Sequence, residues 1–228
     1  MKENKIAIST YHEYMLEAIG SIRLGLAFHE ERDKHEPSGS DDFGLMGDMY
    51  GRYAFLMIAN SLEAAANALL LSLNWEKDYY EELEKLNTAL KFRMFCNNRG
   101  FKLDAGDVRF ARVRDVIACR NEFVHPKPKR VAYTIEESGN EVYDVRKTNQ
   151  RQYPYYHSVL SLKDAVQALE DTLAFLAWVT FDVCGFSIQE GALLLGFNSY
   201  GSTADIYFIS SRTGKKFDLR SFGKAVDG

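Results

Sequence analysis

The sequence predicts a mainly α-helical bundle carrying one or two small β-hairpins. Three observations predict it. Apolar residues recur at three- and four-residue spacing through most of the chain. Capping signatures such as Thr10-x-x-Glu13 and Ser161-x-x-Asp164 stand at the heads of such segments. Runs of β-prone residues are confined to two short stretches, each built around a turn.

Thr10 and Glu13 open a first helix, whose stripe is Met15, Ile19, Ile22 and Leu26. The stretch 33–44, with Pro37 and Gly39, reads as a polar loop. A long helix over 45–73 is apolar around most of its circumference, which places it at the centre of the bundle. A third helix runs from Asp78 as N-cap to Asn98, with Leu83, Leu86, Leu90 and Met94 as its seam and Gly100 as its stop. Asp107 caps a fourth, which ends at His125 because the residue before Pro126 is disfavoured in helical geometry. Residues 131–135 and 142–145 flank Ser138-Gly139-Asn140 as a hairpin, and Tyr153 to Tyr156 form an aromatic connector. Ser161 and Asp164 cap a last long helix that runs to Gly185, and 206–209 with 215–219 read as a second hairpin. The organisation expected is an N-terminal helix and loop over 1–44 and a bundle over 45–185 with a hairpin insertion near 130–147. A tail over 186–228 follows.

Composition narrows the function classes. The chain has 228 residues, enough for one well-buried core. A formal charge of -4 argues against a broadly basic, nucleic-acid-coating surface and confines any RNA contact to one face. Cys96, Cys119 and Cys184 are odd in number and lack C-x-x-C spacing, which fits reduced thiols in a cytoplasmic protein. Residues 1–10 hold no apolar stretch of signal-peptide length. The window 54–73 is about as long as a membrane span, but Asn60, Ser61, Glu63 and Asn67 make it a buried bundle helix, so no membrane is expected. His12, His29, His35 and His157 show no metal-ligand spacing, and no phosphate loop or G-x-S-x-G elbow occurs. No cofactor and no metal are therefore expected.

The informative string is Arg120-Asn121-Glu122-Phe123-Val124-His125 at a helix C-terminus. At about 100° per residue, Asn121 and His125 lie one above the other, with Arg120 in the same half of the helix. A permanent cation, an amide and an imidazole on one patch suit phosphodiester chemistry. Arginine pairs with phosphate in a bidentate fork and offsets developing charge, and histidine as a side-chain type exchanges protons near neutral pH. In RNA the adjacent 2′-hydroxyl supplies a nucleophile, so no metal is strictly needed. The plainer alternative has Arg120 paired with Asp115 or Glu122 and His125 merely stabilising the helix end.

Arg120-Asn121-x-x-x-His125 resembles the R-x(4–6)-H motif of HEPN domains, in the common form with a polar residue after the arginine. The long apolar helix with its internal Glu63, and the capped helix over 161–184, follow in the order of that family. The resemblance spans roughly 45–185 and implies a HEPN-like helical bundle that often dimerises, with two motifs facing one cleft. It implies a metal-independent endoribonuclease of a toxin–antitoxin, defence or RNA-processing kind, with Arg120 and His125 catalytic and Asn121 supporting. An antitoxin or other regulatory protein would be its partner. Other members of the family are non-catalytic modules that bind a protein, RNA or nucleotide.

Supporting residues complete the expectation. Asn60, Glu63 and Asn67 make a polar line on the central helix, which either puts Glu63 near the motif, holding Arg120 or tuning His125, or is a partly exposed stripe or a helix-to-helix hydrogen bond. Lys127, Lys129 and Arg130 follow the motif, and with Arg146, Lys147, Arg151, Tyr153, Tyr155 and Tyr156 they offer cations and rings to an RNA strand. A solvated hairpin is the plainer reading of the same residues.

Overall fold

A computed structural model describes residues 10–34, 42–125, 133–135, 141–143, 153–154, 159–187, 190–191, 194–195, 207–209 and 216–218. Among them are six α-helices: α1 (Tyr11–Lys34), α2 (Asp42–Leu71), α3 (Lys77–Glu84), α4 (Thr88–Asn98), α5 (Val108–Val124) and α6 (Leu162–Ala177). The last continues as a π-helical segment, Trp178–Val183. Two antiparallel hairpins accompany them. β1 (Tyr133–Ile135) pairs with β2 (Glu141–Tyr143), and β3 (Tyr207–Ile209) with β4 (Lys216–Asp218). The mainly α class is what the periodicity predicts.

The capping signatures act as the sequence suggests at two helices that matter for the site. The Asp107 side chain accepts from the backbone of Arg109 and Phe110, and Ser161 and Asp164 complete a reciprocal capping box. Positive φ at Gly100 and Gly185 closes α4 and the π segment. The single helix expected over 78–98 is instead two. Asn87 accepts from Leu90 N at 2.9 Å and starts α4 afresh, and α3 has Glu76 rather than Asp78 at its head. An asparagine that caps competes with helix continuation, and this one wins.

α2 is the hub, packed against α1, α4, α5 and α6. By length and composition it could cross a membrane. Here Ala54, Phe55, Ile58, Leu62, Leu69 and Leu70 are buried against its neighbours, each large side chain contributing about 1.5–3 kcal/mol. Close approach is built in by glycines. A Cβ on Gly51 would lie 2.5 Å from Leu162 Cα, so only glycine lets α2 meet the head of α6.

The connector before α6 is not a stacking platform at Tyr153. That residue is 2% exposed, meets Phe55 edge-on at 5.1 Å and donates its hydroxyl to Asp171 at 3.1 Å. Burial, with Asp171 close by, holds its phenol protonated far above the ordinary range. Tyr155 and Tyr156 lie outside the described residues, as do Arg146, Lys147 and Arg151.

Candidate functional site

The site sits where α5 runs out. Asp107 starts the helix, and Phe110, Val113, Val116 and Ile117 seat it in the core. Near its end Phe123 meets Phe55 of α2 at 6.0 Å, and Cys119 Sγ donates to Pro154 O at 3.4 Å. This packing fixes the last turn, so the side chains that leave it point from a rigid base. His125 is the C-cap, with φ -126° and ψ 65°, and its N–H closes on Asn121 O at 3.0 Å.

Asn121 and His125 are both exposed, one helical turn apart, and Arg120 is half-buried. The Arg120 guanidinium donates through Nη1 to Asn121 Oδ1 at 3.2 Å. Arginine and amide are thus in contact, with the imidazole on the next turn of the same edge. Among the described residues Arg120 makes no ion pair. The alternative pairing with Asp115 or Glu122 does not occur. Two other arginines of α5 differ, since Arg109 is paired with Asp107 at 3.1 Å and Arg112 with Asp171 at 3.0 Å, whereas Arg114 donates to Ala105 O and, like Arg120, makes no ion pair among the described residues. A guanidinium without a carboxylate keeps its charge for an anionic ligand.

Glu63 is placed elsewhere. Its carboxylate accepts from Thr88 Oγ1 and from Lys91 Nζ, both on α4 or at its head, and Lys91 Nζ also donates to Asn67 Oδ1 at 2.8 Å. Lys91 is 1% exposed. The polar line on α2 is therefore a helix-to-helix clamp that satisfies a buried ammonium, and its bonds go to α4 rather than to the motif. Sequence reasoning missed Lys91. The signal was there, since a polar line on an otherwise apolar helix calls for a polar partner across the interface. Lys127, Lys129 and Arg130 lie outside the described residues.

Among the described residues no group of His, Cys, Asp and Glu is arranged to hold a metal ion. Chemically, the arrangement offers an acceptor or donor of protons, a fixed cation and an orienting amide. Comparison with protein-family models, with curated proteins and with solved structures returned no match to this chain.

Proposed function

We propose that this chain is a metal-independent endoribonuclease of the HEPN type. One observation carries the reading: Arg120, which makes no ion pair among the described residues and is bonded to Asn121, shares the end of a rigid helix with His125. In the proposed reaction His125 takes the proton from a ribose 2′-hydroxyl. The oxygen attacks the adjacent phosphorus, and the bond to the 5′-oxygen breaks. Arg120 offsets charge on the phosphate oxygens, and Asn121 orients Arg120. The proton held by His125 passes to the leaving oxygen, directly or through water, giving a 2′,3′-cyclic phosphate and a free 5′-hydroxyl.

The proposal includes a reduced, cytoplasmic setting, a regulatory partner of the antitoxin kind, and a homodimer, which predicts a solution mass of twice 26.0 kDa. Its test is incubation of a mixed RNA pool, transfer RNA included, with the protein in EDTA beside His125→Ala. Cleavage by the parent that the variant loses supports it, and an intact pool with folded protein contradicts it.

A second reading has an observation of its own. Leu45, Met49 and Tyr53 recur every four residues on α2 and are 63%, 45% and 46% exposed. Such a stripe suits a non-catalytic module that binds a protein. Folded protein that leaves the RNA pool intact favours this reading.

A further inference from the structure

A cavity of about 490 Å³ opens between the C-terminal part of α1, the first turns of α2 and the head of α6. It is lined by Leu26, His29, Asp48, Leu162, Lys163 and Val166, with Ser161 at the edge. That volume is in the range of small-ligand sites, and its walls have their usual character, mostly apolar with a few convergent polar groups.

Those polar groups are held in place. Asp48 Oδ1 accepts from Leu162 N at 2.9 Å and lies 3.5 Å from His29 Nε2. A Cβ on Gly47 would meet the His29 ring at 2.5 Å, so a glycine at that position is what seats the imidazole against α2. The fixed polar groups beside the apolar walls are therefore the Asp48 carboxylate, which accepts hydrogen bonds and donates none, and the His29 imidazole against it. Lys163, exposed at the mouth, supplies a cation.

The cavity and the α5 site share one end of the bundle. Phe110 stacks on Phe175 at 5.9 Å and Arg112 pairs with Asp171, so α5 and α6 run antiparallel. Extending that pairing two to three turns brings residues 120–123 of α5 level with 161–164 of α6. The head of α6, about 10 Å across with side chains, separates the two. An RNA strand held at His125 and crossing that head reaches the cavity within a few nucleotides.

We propose that this cavity is a base-specificity pocket for guanine in the RNA substrate; this rests on the ribonuclease reading above. Guanine alone presents two adjacent N–H donors on its Watson–Crick edge, N1–H and the N2 amino group, which match a carboxylate. Adenine and cytosine pair a donor with an acceptor there, and uracil sets a single donor between two acceptors. Leu26, Leu162 and Val166 cover the ring faces, Asp48 reads the edge, and Lys163 meets the phosphate of the same nucleotide.

The test maps cleavage ends in a random-sequence RNA pool cut by the full chain and by Asp48→Asn, with guanosine and adenosine titrations of both proteins alongside. Asparagine keeps an oxygen for Leu162 N while replacing the other acceptor by a donor, so the head of α6 stays capped. The expected result is guanine enriched about tenfold or more at a fixed offset from the cut. In the variant the enrichment among the remaining cuts falls below about twofold. Guanosine, and not adenosine, binds the parent and loses affinity in the variant. Cleavage without a fixed-offset guanine, or enrichment unchanged in Asp48→Asn, overturns the pocket and leaves the ribonuclease standing. If neither protein cuts RNA, the titration decides alone: Asp48-dependent guanosine binding supports the pocket, and its absence overturns it.

Discussion

Removal of Glu63 is expected to cost far more than removal of the lysine it holds. Lys91 is 1% exposed, while the Glu63 side chain is 38% exposed. Glu63→Ala leaves a buried ammonium with Asn67 as its remaining acceptor in the cluster. Breaking a buried pair in this way costs about 3–5 kcal/mol, and the partial exposure of the site brings the expectation to the lower end, about 3 kcal/mol. For a chain of this length that corresponds to a fall in Tm of about 6–12 °C. Lys91→Met is different in kind. It replaces the stem with an apolar chain of similar length and leaves a carboxylate that water reaches, so its cost is about 1 kcal/mol or less. The double variant should resemble Lys91→Met, because the unsatisfied charge is gone. Thermal and urea unfolding of the three proteins measure this. Equal losses in the two single variants, or simple additivity in the double, would refute the argument that a stranded ammonium is the dominant cost.

Other expectations follow from the same geometry. Gly51→Ala should destabilise by about 1–3 kcal/mol in urea unfolding, since its Cβ would be forced to 2.5 Å from the Leu162 backbone. Asp107→Ala should lower stability by about 1 kcal/mol through loss of the α5 cap. The hydrogen bond from Arg109 is the main cause that holds the Asp107 carboxyl below its ordinary value of 3.8. A depressed carboxyl stabilises the fold above its unfolded value, so the gap between Asp107→Ala and parent should be full at neutral pH and shrink as pH falls below about 4. Burial pushes the Cys96 thiol up to about 12 and that of Cys184 up to about 11. Both should resist iodoacetamide at pH 8 in native protein and react once it is unfolded, as read by peptide mass.

Much of the fold was legible because its signals are local. Asp107, Ser161 and Asp164 cap the helices that their spacing announces, and Gly100 and Gly185 close α4 and the π segment. The break between α3 and α4 was not legible, because the apolar seam runs on past it and the choice rests on one asparagine side chain. At the site, the shared face of Asn121 and His125 follows from helical geometry alone. That Arg120 bonds Asn121 rather than a nearby acid is a matter of side-chain rotamer, which spacing along the chain does not encode. Glu63 shows the limit most clearly. Its place on a polar line was readable, but the lysine it serves is 28 residues away, and only the packing of α4 on α2 brings them together. The pairing of His29 with Asp48 is hidden for the same reason, although the spacing of Gly44, Gly47 and Gly51 hints that another helix comes close there.

The chemistry proposed for His125 is tested most directly on an RNA that the protein cuts, by identifying the product ends in EDTA and repeating the reaction with a 2′-deoxy sugar at the cut position. The expected result is 2′,3′-cyclic phosphate and 5′-hydroxyl ends, complete loss of cutting at the deoxy position, and a loss of about 10²–10⁴ in rate for His125→Ala. Cleavage that persists at the deoxy position, or that leaves 5′-phosphate ends, would contradict it.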